Sequence, residues 1–181
     1  MLTTALVAFA LAVTGLAQAP EGYRTVVIAT AWDDNYVLQA AAPAQSGSAV
    51  ILSSLKNAPE QQWYLKDGST KLQLANTTLC LDAGTGRSNG SPLTVRDCVD
   101  GQASQNWIYN AEGQIVLDQA GPRKQHSGHR PGVNRDSGAN FKAELCADLY
   151  FGSVRDNTPI VIWQCIAGDK NHLWSAADVT V

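Results

Sequence analysis

The stretch from Cys146 to Trp174, CADLYFGSVRDNTPIVIWQCIAGDKNHLW, gathers side chains that can bind but that show no means of breaking a bond. An acid, Asp148, follows Cys146 by two residues, and Trp163 precedes Cys165 by two. The stretch closes on Asn171-His172-x-Trp174. A ligand with one face of C–H groups and an edge of hydroxyls, which is the surface of a sugar, needs a flat apolar platform beside hydrogen-bonding groups, and Trp163 can supply the platform. Tyr150 and Phe151, just after the acid, can widen the apolar wall.

Other chemistries find little support in the residues. Gly84-Thr85-Gly86 lies between two predicted strands and not before a helix, so it does not read as a phosphate loop. There is no Gly-x-Ser-x-Gly, and Asp33, Asp34 and Asp118 give no acid–base pair that spacing can place. The chain is accordingly expected not to be an enzyme and to need no cofactor. No metal site is expected either: there is no Cys-x-x-Cys, and His126-x-x-His129 lacks a third ligand. A net charge of −3 with 16% charged residues argues against a nucleic-acid partner.

The elements that must position these groups recur along the chain. Gln61-Gln62-Trp63, Gln105-Asn106-Trp107 and His172-Leu173-Trp174 share a tryptophan preceded two residues earlier by Gln or His. Trp63 to Trp107 is 44 residues and Trp107 to Trp174 is 67, an excess of 23. Leu74 to Cys80 against Leu117 to Cys146, 6 residues against 29, gives the same excess, so the third copy carries one insertion. Gly- and Pro-rich, and with a net charge of +4, it reads as a loop over about residues 119–142 that can flank the candidate site. Within each copy, short alternating runs between turn residues read as strands: Thr70 to Leu74, Leu93 to Cys98 and Ile160 to Cys165. Three copies of about four strands can close into one all-β barrel with a pseudo-threefold axis, which removes exposed sheet edges.

Residues 1–19 hold no charged side chain, and their apolar run is too short to span a bilayer. A secretory signal peptide cleaved after Ala19 is expected, leaving a single domain over residues 20–181, with copies at about 24–66, 67–110 and 111–176 and no membrane span. Four cysteines in a secreted chain imply two disulfides, with three pairings possible. Pairing Cys80 with Cys98 and Cys146 with Cys165 gives two equivalent short loops. Asn76-Thr77-Thr78 and Asn89-Gly90-Ser91 are glycosylation sequons, which makes a glycoprotein the expectation.

The Gln-x-Trp copies, the openings Cys80-Leu-Asp82 and Cys146-Ala-Asp148, and the run Asn157-Thr-Pro-Ile160 to Trp163-x-Cys165 resemble the ricin B-chain type lectin domain, a β-trefoil. The resemblance spans about residues 24 to 176. It implies a lectin whose partners are glycans or glycoproteins, with one potential shallow pocket per copy, and galactose-like or N-acetylgalactosamine-like ligands. Carried onto the third copy, it implies a site of Asp148, Val161, Trp163, Asn171 and His172. His172 stands where the family usually has Gln, and Val161 where a polar contact is frequent. Strand alternation sets Ile160 and Ile162 on the core face and Val161 with Trp163 on the other.

The sister copies sharpen this reading. The second keeps Asp82 and Gln105 but has Arg96 for the ring and Ser104 for the Asn, a weak second site at most. In the first copy, Ser53 falls at the ring position and Ala40 at the acid position, which leaves scaffold only. Two other classes compete: a trefoil protease inhibitor acting through the 119–142 loop, and a glycoside hydrolase.

Overall fold

The computed structural model describes residues 18–118 and 144–179. Most of the expected signal peptide and all of the 119–142 insertion, with His126 and His129, lie outside the described residues.

The described chain is strands joined by turns and single 3-10 turns, and it forms a β-trefoil. The first copy comprises β1 (Arg24–Thr30), β2 (Asp33–Ala40), β3 (Val50–Ser54) and β4 (Trp63–Leu65). The second has β5 (Gly68–Thr70), β6 (Gln73–Leu74), β7 (Leu79–Asp82), β8 (Ser91–Pro92), β9 (Thr94–Asp97) and β10 (Trp107–Tyr109). The third has β11 (Ile115–Leu117), β12 (Leu145–Leu149), β13 (Thr158–Gln164) and β14 (Trp174–Asp178). The run from Thr70 to Leu74 is not the one strand expected. It breaks at Lys71 because β5 pairs with β10 whereas β6 pairs with β4, so the chain changes partners there.

Each copy sends out one antiparallel hairpin, β2–β3, β7–β9 and β12–β13. The hairpins touch one another: β13 pairs with β3 and with β8, and Ala49 bridges Thr94. The remaining strands form the barrel, closed where β1 pairs with β14 from Val26↔Asp178 to Thr30↔Trp174. Closure leaves no long edge there for another chain to extend.

Sequence dictates this arrangement through residues that repeat in threes. Val50, Leu93 and Ile160 occupy one equivalent position, and Leu52, Val95 and Ile162 another, all buried in the central core. The three repeat tryptophans are also buried, and a buried indole N–H needs an acceptor. Trp63 donates to the Leu38 carbonyl at 3.2 Å, Trp107 to Leu81 at 3.0 Å and Trp174 to Ala147 at 3.1 Å. Each indole thereby pins the hairpin of its own copy, one residue before the acid position. The disulfides join Cys80 to Cys98 and Cys146 to Cys165, each tying the outgoing hairpin strand of its copy to the end of the returning one.

Candidate functional site

The acid position follows the pinned carbonyl, so it is Gln39 in the first copy, Asp82 in the second and Asp148 in the third. Ala40 is therefore not at the acid position. Register sets it: Gln39 lies opposite Ile51 as Asp82 lies opposite Thr94 and Asp148 opposite Val161.

The Gln/His position braces the acid position in every copy. Gln61 Nε2 donates to Gln39 Oε1 at 2.9 Å, while its own Oε1 accepts the Lys56 N–H at 2.8 Å. Gln105 Nε2 donates to Asp82 Oδ2 at 2.9 Å, and its Oε1 accepts the Val99 N–H at 2.9 Å. His172 reproduces both ends of the brace with ring nitrogens. Nδ1 accepts the Ile166 N–H at 3.2 Å, and Nε2 lies 2.9 Å from Asp148 Oδ2. The Nδ1 contact assigns the neutral ring's proton to Nε2. That N–H is poorly aligned with the carboxylate, so the pair is held by proximity and charge more than by a straight hydrogen bond.

Asp148 and Asp82 differ in what they have left to offer. Both Asp82 oxygens are taken, Oδ1 by the Gly84 N–H at 2.6 Å and Oδ2 by Gln105. Among the described residues, no backbone N–H takes Asp148 Oδ1 in that way. Asp148 instead forms part of the floor of a cleft of about 240 Å³, lined also by Phe151, Trp163, Ile166, Asp169 and Asn171.

The cleft is open, and Phe151, Trp163 and Ile166 form the apolar part of its lining. Trp163 is half-buried, while Phe151 is 77% and Ile166 49% exposed, values that are costly for such side chains unless contact uses them. Phe151 also has a φ of 50°, a left-handed conformation that is a genuine outlier for a bulky residue. Its ring packs on Tyr150 at 4.3 Å and edge-on to Trp163 at 6.5 Å between centroids. The Asn89-Gly90 turn of the second copy supports Trp163 from the side: Gln164 N–H donates to Asn89 Oδ1 at 2.8 Å and Gly90 N–H to the Ile162 carbonyl at 2.9 Å. Both sequon asparagines, Asn76 and Asn89, are exposed, and each uses its Oδ1 as an acceptor, from the Tyr64 hydroxyl and the Gln164 N–H respectively.

Three of the five residues expected at the site meet at this cleft: Asp148, Trp163 and Asn171. The other two do not line it. Val161, expected on the outward face with Trp163, is 2% exposed because β8 of the second copy covers it, Pro92 lying opposite Val161 in register. His172 is fully buried behind Asp148. In the second copy Arg96 is exposed at the ring position, while Asp82, Ser104 and Gln105 are buried.

One contributor belongs to a different copy. Trp32, in the β1–β2 turn and 50% exposed, donates its indole N–H to Asn171 Oδ1 at 2.9 Å. An indole N–H can only donate, so this contact fixes the Asn171 amide and leaves its Nδ2 donors for other partners. Asp169 holds the same turn from below, its Oδ1 accepting the Asn171 N–H at 3.0 Å.

Burial disfavours the His172 cation, but the Asp148 contact and charge, with Asp169 close by, outweigh it and raise the imidazole above its ordinary range. The Ile166 N–H opposes them, since it occupies the Nδ1 lone pair that a second proton would need. Asp148, Asp169 and His172 bring ligand atoms within 4.8 Å of one another. With Nδ1 taken and Nε2 protonated, however, the neutral ring has no lone pair for a cation.

A family model for the ricin-type beta-trefoil lectin domain matches residues 24–124, more than half of the chain. No curated protein matches by sequence. Among solved structures, the chain is similar to ThreeFoil, a designed threefold-symmetric protein, with 20% identity and a TM-score of 0.62 over 86% of this chain and 99% of that one. It is similar to the C-half of an earthworm R-type lectin in complex with GalNAc, with 15% identity and a TM-score of 0.61 over 86% and 99%. It is also similar to the β-trefoil lectin of the Vibrio vulnificus hemolysin/cytolysin with N-acetyl-D-lactosamine bound, with 14% identity and a TM-score of 0.58 over 89% and 98%.

Proposed function

The chain belongs to the ricin-type β-trefoil lectin domain family, and from that premise we propose that it is a secreted, non-enzymatic lectin that binds galactose-like or N-acetylgalactosamine-like glycans through the third copy. One observation carries the reading: Asp148, though as buried as Asp82, keeps acceptor capacity and lines a cleft with Trp163, Phe151 and Asn171, while Asp82 has both oxygens taken. Adjacent hydroxyls donate to the Asp148 carboxylate, a neighbouring oxygen accepts from Asn171 Nδ2, and the sugar's C–H face lies against Trp163. The GalNAc and N-acetyl-D-lactosamine bound by structural neighbours support the ligand class. Two disulfides support an extracellular setting. Among the described residues, no helix is long and apolar enough to cross a membrane.

A single shallow cleft of this kind binds with a Kd of about 0.1 to 1 mM, so strong attachment to a surface requires multivalent presentation. A glycan array probed with wild type and Trp163→Ala tests the assignment. Galactose-type signals that disappear in the variant are expected. Absence of any glycan signal, or equal binding by the variant, would sink it.

A further inference from the structure

A contact repeated in all three copies brings an aromatic residue of the first copy to Asn171, which lines the third-copy cleft. In each copy, the residue between the Gln/His and the Trp offers its carbonyl to the first turn of the next copy. Gln62 accepts from the Ala75 N–H at 2.8 Å, Asn106 from Asp118 at 2.8 Å and Leu173 from Ala31 at 2.9 Å. At two of these latches the residue just after meets a side chain of the preceding copy. After Ala75 it is Asn76, which accepts from the Tyr64 hydroxyl at 3.0 Å. After Ala31 it is Trp32, whose indole holds Asn171 and whose surface is half exposed.

Two features of Trp32 exceed what bracing Asn171 requires. A small donor would hold the amide, yet the position presents a whole indole to solvent. Lys170 Nζ also lies over the ring, 5.2 Å from its centroid. The charged residues around it, Asp33, Asp34 and Asp169 against Lys170, do not favour an anion.

Resting on the lectin reading above, we propose that the site does not end at Asn171: Trp32 is a second stacking platform, and it takes the next, uncharged sugar unit of an oligosaccharide whose first unit sits on Trp163. Asn171 is shared by the two, its Oδ1 held by Trp32 while it lines the cleft with Trp163, so the platforms are coupled through one amide. Lys170, with three donors on a flexible stem, meets hydroxyls of the second unit. The site therefore discriminates by chain length: a disaccharide binds better than its terminal monosaccharide.

The test is titration calorimetry with methyl β-galactoside and with N-acetyllactosamine, on wild type, Trp32→Ala and Trp32→Phe. Wild type is expected to favour the disaccharide about fivefold to tenfold, from one additional ring contact. Trp32→Ala brings the ratio close to one. Trp32→Phe, which keeps a ring but loses the N–H, weakens both ligands and keeps the ratio above one. A residue that merely braced Asn171 would weaken both ligands in both variants and leave the ratio untouched, which would overturn the second platform alone. A wild-type ratio near one would do the same. No binding of either ligand by wild type would overturn the platform and the lectin assignment together.

Discussion

His172 Nε2 stands 2.9 Å from Asp148 Oδ2, the separation at which Gln105 Nε2 meets Asp82 Oδ2 in the second copy. An imidazole has replaced a carboxamide in a brace whose two ends are otherwise unchanged, and that replacement makes the brace titratable.

The first expectation concerns pH. His172 is held above its ordinary value in the folded chain, so the stability it adds is fully present below the unfolded value of about 6.5 and declines as pH rises through the higher folded value. Melting temperatures of wild type and His172→Gln between pH 5 and pH 9 should therefore differ most in favour of wild type at the acid end. Sugar affinity of the Gln variant should be flat over the same range, because Gln105 shows that a carboxamide makes both contacts. A wild-type advantage that grows towards alkaline pH would contradict this.

The two acids should separate on substitution. Asp148→Asn removes the charged acceptor from the cleft, and glycan affinity should fall by about tenfold or more. In Asp82→Asn, one of the two donors, from Gly84 or Gln105, would face an amide N–H. Stability should fall by about 1 to 3 kcal/mol with glycan affinity unchanged. Chemical denaturation alongside a binding titration distinguishes the two.

Gly152 has a φ of 62°, and a Cβ there would lie 2.9 Å from Asn171 Oδ1. Gly152→Ala combines backbone strain with pressure on the amide that Trp32 holds. Affinity should drop severalfold at a modest cost in stability, about 1 kcal/mol. Calorimetry would show an unchanged affinity if the amide had no part in binding.

The disulfides close loops of nearly equal length, 18 and 19 residues of separation, and removing either should cost about 3 kcal/mol. Only loss of the Cys146–Cys165 bridge should also weaken glycan binding, since Trp163 is two residues from Cys165. Parallel denaturation and binding measurements on the two paired Cys→Ala variants would show this asymmetry or its absence.

Much of this was legible in the residues because the chain repeats itself. Three tryptophans in phase and two cysteine spacings point to the trefoil, and the contrast of Trp163 with Arg96 and Ser53 points to the third copy. What escaped did so for identifiable reasons. Alternation along β13 places Val161 outward, but alternation knows nothing of β8, which arrives from another copy and covers it. The acid position of the first copy, Gln39 and not Ala40, is set by its pairing with Ile51 across β2 and β3, which no spacing in the sequence displays. Trp32 left no local signal, since its partner lies 139 residues away.

The same latch joins near-opposite ends of the polypeptide. Ala31 closes on Leu173, Trp32 on Asn171, and β1 on β14. During synthesis β1 can pair with β2 and β4 of its own copy, but its edge towards β14 stays open until residues 174–178 have emerged. If the third-copy cleft binds sugar as proposed, no chain truncated before residue 171 should do so, and retention on a sugar column would sort such fragments from longer chains.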